Sequence, residues 1–146
     1  MTADAVQADL SRRVDLYFTR PGVADVTWDA RWNVVHIEAQ GWSGTAESRA
    51  VLDSAIRAMA DHRGSRWLVD GRDIRAIKQS HQDWITENLL PRALEAGLRV
   101  AAIVIPTAAE AKLNIDNMAK AADNAIDVRY FSTVERARQW LGASAR

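Results

Sequence analysis

A chain of 146 residues, 48% hydrophobic and 26% charged, has the size and mix of one globular domain, and it can bury about two-thirds of the surface its unfolded form exposes. Nineteen basic residues balance nineteen acidic ones, which argues against binding nucleic acid or an anionic membrane, since both demand a sustained basic surface. There is no cysteine, so disulfide frameworks, thiolate nucleophiles and cysteine zinc sites are excluded.

Residues 1–12 are Ala-rich and polar and read as a poorly structured or helical lead-in. They lack the basic stretch and apolar core of a secretory leader, and no segment approaches the roughly 18 apolar residues of a membrane span, so a soluble, cytoplasmic protein is expected. One domain is expected over 13–142, with a tail at 143–146. After Pro21-Gly22, Ala24, Val26 and Trp28 alternate with polar neighbours as a strand does. Asp29–Asn33 reads as a hairpin turn, and Val35, Ile37 and Ala39 alternate in a second strand that closes at Gly41. From Ser43 or Thr45 the period becomes helical, with Val51, Leu52, Ala55, Ile56 and Met59 on one stripe and Gly64 ending the helix.

Trp67-Leu68-Val69, closed by Asp70, looks like a buried strand. Ser80 with Asp83 resembles a capping box, and its helix runs through Trp84, Ile85 and Leu89. Pro91 predicts a kink or restart near Asn88–Leu90, and Gly97 a C-terminal cap. The apolar run Val100–Ile105, stopped by Pro106, predicts a strand covered on both faces at the centre of the sheet. Thr107 with Glu110 and Ser132 with Glu135 are two further capping boxes, opening helices that bury Ala111, Ile115, Met118 and Ala122, then Val134, Ala137 and Leu141. Between those helices Ile126, Val128 and Tyr130 alternate as a last strand. The order β-β-α-β-α-β-α-β-α predicts an α/β domain with a mixed, mostly parallel sheet and an antiparallel first hairpin.

Five local patterns span residues 40 to 141: Gly41-Trp42; Trp67-Leu68-Val69-Asp70 with Arg72; Asp83-Trp84-Ile85; Leu90-Pro91-Arg92-Ala93 with Gly97; and Tyr130-Phe131 followed by Ala137, Trp140 and Leu141. With the element order, they resemble the STAS-like domains of the anti-sigma-factor antagonists, in particular small stand-alone bacterial members of unassigned function. The resemblance implies a domain that acts as a protein-binding switch or, as in the related CRAL-TRIO lipid-binding proteins, holds an apolar ligand. It also implies a phosphorylatable serine at the helix after the strand ending in Asp, a place that Ser80 approximates. Here Gln79-Ser80-His81-Gln82 replaces the Asp-Ser and small residues of the family motif.

Ser80 therefore has two readings, a phosphorylation site and a structural N-cap. Asp70, Arg72, Asp73 and Arg75 crowd a strand end where open α/β sheets bind ligands, and the same alternation suits a solvated ion-pair network. A triad of Ser80, His81 and Asp83 fails because adjacent helical side chains diverge by about 100°. His36 falls on the strand face opposite Val35 and Ile37, and His62 reads as a dipole partner at a helix C-terminus. Three scattered histidines predict no metal site, and no cofactor is expected. Of six tryptophans, Trp28, Trp67 and Trp140 read as core, while Trp32, Trp42 and Trp84, with the Pro91 kink, could line a pocket or a partner surface.

With no phosphate loop, nucleophile elbow or HExxH motif, the expectation is a non-enzymatic binding or regulatory domain. It would contact a protein partner or a second copy of itself, dimer included, through the hairpin edge and a ligand- or partner-binding set of Asp70, Arg72, Arg75, Ser80, Asp83, Trp84 and Trp42. The alternative is a carrier or sensor of a small apolar, lipid-like ligand held near Trp84 to Pro91.

Overall fold

The computed structural model describes residues 14–40, 46–122 and 125–144. Within them the strands are β1 (Val14–Arg20), β2 (Ala24–Asp29), β3 (Val34–Ala39), β4 (Arg66–Asp70), β5 (Val100–Val104) and β6 (Asp127–Phe131). The helices are α1 (Ala46–Asp61), α2 (Gln79–Trp84), α3 (Leu90–Ala96), α4 (Ala109–Ala121) and α5 (Val134–Ser144), with a π-helical segment (Ile85–Leu89) joining α2 to α3. The sheet runs β1-β2-β3-β4-β5-β6, antiparallel through β3 and parallel from β3 to β6. This is the mixed α/β architecture expected from the sequence, with one strand more.

The added strand is β1. Its register slips between Leu16 and Phe18, and Tyr17 and Phe18 both pack on the core under α1. Two successive residues on one face break the period of two by which a strand is recognised, and Leu16 is left 63% exposed. The lead-in expected over 1–12 lies outside the described residues, whereas α5 continues through Ala143 and Ser144, where a tail was expected. β5 is not central: in sequential order the middle strands are β3 and β4. Its apolar run reflects cover on both faces, which any interior strand of this sheet can have.

Strands added always in one direction by right-handed crossovers put every crossover helix on the same face. On that first face Val26, Trp28, Val35, Ile37, Trp67 and Ala101 meet Val51, Leu52, Ala55 and Met59 of α1, with Ile85, Leu89 and Ala93 of the stretch after α2. Ile115 of α4 extends the layer against Ala39, Ile74 and Ile77. Among the described residues the second face is covered by α5, whose Ala137 and Leu141 pack on Val34, Leu68, Ala102 and Val104.

The helix ends differ in detail from the sequence reading. α2 begins at Gln79 with Lys78 in the cap position, so Ser80 is inside the helix and caps nothing, and Asp83 accepts from Gln79 Nε2 at 2.9 Å. Ala108, not Thr107, precedes α4, and the Thr107 hydroxyl donates instead to Arg72 O at 3.4 Å. At α5 the cap moves one residue, the Arg136 N–H donating to Thr133 Oγ1 at 3.1 Å. Arg63, at φ 53°, makes the left-handed turn after α1; Gly64 is needed because a Cβ there would lie 2.6 Å from the Trp28 ring. The restart expected near Asn88–Leu90 is present, as a π-helical segment after which the α-helix resumes at Leu90. The Leu90 N–H reaches back five residues to Ile85 O, and this wider turn delivers Pro91 to the first turn of α3, where its missing N–H costs nothing. Gly97 closes that helix at φ 118°, as expected.

Candidate functional site

In β4, Trp67 faces the first layer and Leu68 the second, so strand parity turns Asp70 toward the second face. Asp70 is buried and held by its neighbour two residues on: Arg72 Nε donates to Oδ1 at 2.9 Å, Nη2 to Oδ2 at 2.7 Å and the backbone N–H to Oδ1 at 3.3 Å. Burial pushes the Asp70 carboxyl up, but the Arg72 hydrogen bonds and charge outweigh it and leave the group below the usual carboxylate range. Asp29 repeats the device with Arg31, through Nε at 2.9 Å, Nη2 at 2.8 Å and the backbone N–H at 3.1 Å. His36 of β3 lies on the same face, its proton affinity lowered first by burial and then by Arg138. His36 Nε2 and Arg138 Nε are buried and accept or donate no hydrogen bond among the described residues. A buried Arg66 joins these parts, donating to the carbonyls of Asn33 at 3.3 Å, Leu141 at 2.6 Å and Trp32.

Ser80, Asp83 and Trp84 sit elsewhere, on α2 over the first face. Ser80 and Asp83 are exposed, and Trp84, one turn after Ser80, is half-buried. Its indole stacks on the fully buried His81 ring at 5.8 Å and 8°. The guanidinium groups of Arg49 (α1) and Arg92 (α3) lie 5.1 and 5.8 Å from its ring centroid. Arg92 is itself fixed by Asp53 Oδ1 at 2.8 Å and Asn88 Oδ1 at 3.1 Å. The exposure of Ser80 beside a buried His81 agrees with the rejection of a triad.

The structure thus divides the expected set. Asp70 and Arg72 belong to one face, Ser80, Asp83 and Trp84 to the other, and Arg75 is exposed in the loop between, with no hydrogen bond or ion pair to a described residue. Trp42 lies outside the described residues. Trp32 packs its ring against Gly142 on the second face, remote from Trp84. His62 stacks on Trp28 at 4.6 Å and meets Asp15 Oδ2 at 3.1 Å rather than serving the end of α1. Sequence reasoning missed Arg49, Arg92 and Arg138, which look like any solvated helix charge until the fold shows what lies across from them. An apolar cavity of about 130 Å³ opens between the sheet and the helices, lined by Trp67, Ile85, Leu89, Leu98, Ile115 and Met118 among others. Trp84 is not in its wall. The Trp67 Nε1–H is buried without an acceptor among the described residues.

A match to the SpoIIAA-like family covers residues 34–142, from β3 through most of α5. The chain belongs to the SpoIIAA-like family. That family has the STAS-like fold of anti-sigma-factor antagonists, the resemblance first read from the sequence, and its members are in general non-catalytic regulatory domains that engage other proteins. No curated protein and no solved structure matches the chain. Among the described residues no helix is long and apolar enough to cross a membrane, and no group of His, Asp and Glu could hold a metal ion.

Proposed function

We propose that this SpoIIAA-like chain is a non-catalytic regulatory domain that binds a partner protein at the surface built around Trp84. The observation that carries the reading is the half-exposed indole clasped by Arg49 and Arg92 and backed by buried His81. Trp and Arg dominate the energetics of protein interfaces, because each offers large, rigid contact area with a polar function at its edge. Ser80 lies exposed one turn before Trp84, so a phosphate on it would add negative charge beside both guanidinium groups and change what the surface accepts. Asp83 lies on the same helix; Asp70 and Arg72 enter this reading only as a separate, second-face contact, and Arg75 stands in the loop between.

The test is affinity capture from native extract with the wild-type chain, Trp84→Ala and Ser80→Asp, each checked for equal thermal stability. A partner held by the wild type should bind Trp84→Ala roughly 30-fold more weakly. Recovery of the same proteins in equal amounts by all three would remove this surface from consideration.

A second reading, the carrier of a small apolar ligand, is favoured by the cavity. Its volume of about 130 Å³ suits a molecule the size of a small arene or a short branched alkyl group. A full acyl chain needs the several hundred Å³ typical of ligand pockets. Native mass spectrometry with a series from benzene to fatty acids should show binding only at the small end, and no binding at all would end this reading.

A further inference from the structure

The sheet ends on two unlike edges. β1, at one edge, breaks register between Leu16 and Phe18, and an irregularity of this kind twists an edge strand away from a new neighbour. β6, at the other, pairs with β5 in unbroken register over all five residues, and no described strand pairs with its outer side. Parity identifies the open groups. Asp127 N–H donates to Arg99 O and Phe131 O accepts from Ile105 N–H, so the odd residues turn their main chain inward, and Val128 and Tyr130 turn theirs outward. Asp127 and Arg129 stand on one face of β6, joined at 3.0 Å. Val128 and Tyr130 stand on the other. There Tyr130 is 41% exposed and borders a groove of about 380 Å³ shared with Asp116 and Lys120 of α4, and Leu113, one turn before Asp116, is 59% exposed.

We propose that the β6 edge is a homodimer interface, in which β6 of two copies pair antiparallel about a two-fold axis at Val128. A two-fold interface must be complementary to itself, and an acid and a base separated by one residue satisfy this when the axis passes through the residue between them. Three two-fold registers are open to this short strand. Centred on Arg129, the pairing sets Arg129 against Arg129 of the second copy, a destabilising like-charge contact. Centred on Tyr130, it sets Arg129 opposite Phe131 of the second copy and leaves Asp127 facing Thr133, beyond the strand, so neither charge meets an opposite one. Centred on Val128, it sets each Asp127 opposite the Arg129 of the second copy, lets the two Val128 residues exchange both main-chain hydrogen bonds, and brings Tyr130 across from Ile126 on the apolar face. A foreign strand would have no need of this internal symmetry, which is why a second copy is the occupant. The exposed Tyr130 flanks the same edge and extends the buried area beyond the strand pair. The interface is independent of the Trp84 surface, which lies on α2.

The experiment is the mass of the full chain in solution, followed across a concentration series by light scattering or sedimentation. The wild type should form a species of two chains. Arg129→Asp should weaken self-association roughly tenfold or more, by setting the new carboxylate against Asp127 of the second copy, and the double swap Asp127→Arg with Arg129→Asp should restore it. Val128→Pro removes only an outward N–H, so it should give a monomer whose near-ultraviolet spectrum, dominated by the tryptophans, matches the wild type. A wild type that stays a single chain throughout would overturn the proposal, and so would a dimer indifferent to both Arg129→Asp and Val128→Pro.

Discussion

On the first face of the sheet, α1, the stretch from α2 to α3 and α4 close over an apolar layer that contains a cavity of about 130 Å³. On the second face α5 is the one helix among the described residues, and the buried groups there include Asp29, Arg66 and Asp70, each held by hydrogen bonds in fixed directions. The contrast teaches how each side can be changed. Dispersion and hydrophobic contact are non-directional, so a layer with spare volume can accept added atoms, whereas a layer tied by directed bonds to backbone carbonyls has one arrangement.

The largest expected effect is on the first face. Trp28→Ala removes a buried ring that stacks on His62 and fills the space kept open by Gly64, and should cost about 3–5 kcal/mol in urea unfolding. Arg66→Met should cost about 2–3 kcal/mol, because it leaves the carbonyls of Trp32, Asn33 and Leu141 without their donor. A loss below that of an ordinary surface change would mean that α5 is held by its apolar contacts alone. The sharpest comparison uses two neighbours in β5. Ala102→Val, against Ala137 and Leu141, should destabilise by about 1–3 kcal/mol, while Ala101→Val, beside the cavity, should stabilise by about 1 kcal/mol. Changes of the same sign would dissolve the distinction between the faces.

The smallest effect is in acid. His36 and His81 are both held below the ordinary histidine value of 6.5, chiefly by burial, so the unfolded chain binds protons there that the folded chain does not. Their contribution is present above that value and is lost progressively as the pH falls below it. Asp29 and Asp70, depressed below 3.8 by their arginines against the opposing effect of burial, contribute above that value and lose their contribution as the pH falls through their folded values. Stability measured against pH should therefore fall in two stages. His36→Phe should remove part of the first stage from the second face and His81→Phe part of it from the first; an unaltered profile in both would rule out the histidines as its source.

Much of the fold was legible because its signals are local. The stripe of α1, the turn at Asp29–Asn33, the buried run of β4 and the left-handed Gly97 each depend on a few adjacent residues, and all four stand where the sequence puts them. β1 was not legible, since the slip at Tyr17 removes the alternation that marks a strand. The caps were misplaced because hydroxyl hydrogen bonds follow whichever carbonyl or amide the packing brings near, as Thr107 follows Arg72 O.

For the candidate sites the division is sharper still. By itself the sequence determined that Asp70 closes a buried strand, that Arg72 follows within reach of it, and that Ser80 and Trp84 lie one turn apart on a helix; these are matters of spacing along a chain whose local geometry is known. Only the tertiary structure decided that Asp70 and Trp84 serve opposite faces, that Arg49 and Arg92 converge on one indole from separate helices, and that β6 is the last of the described strands in the sheet. Those outcomes depend on which helix covers which face, and that is settled by the direction in which strands are added and the hand of the crossovers, properties of the whole chain that no local pattern contains.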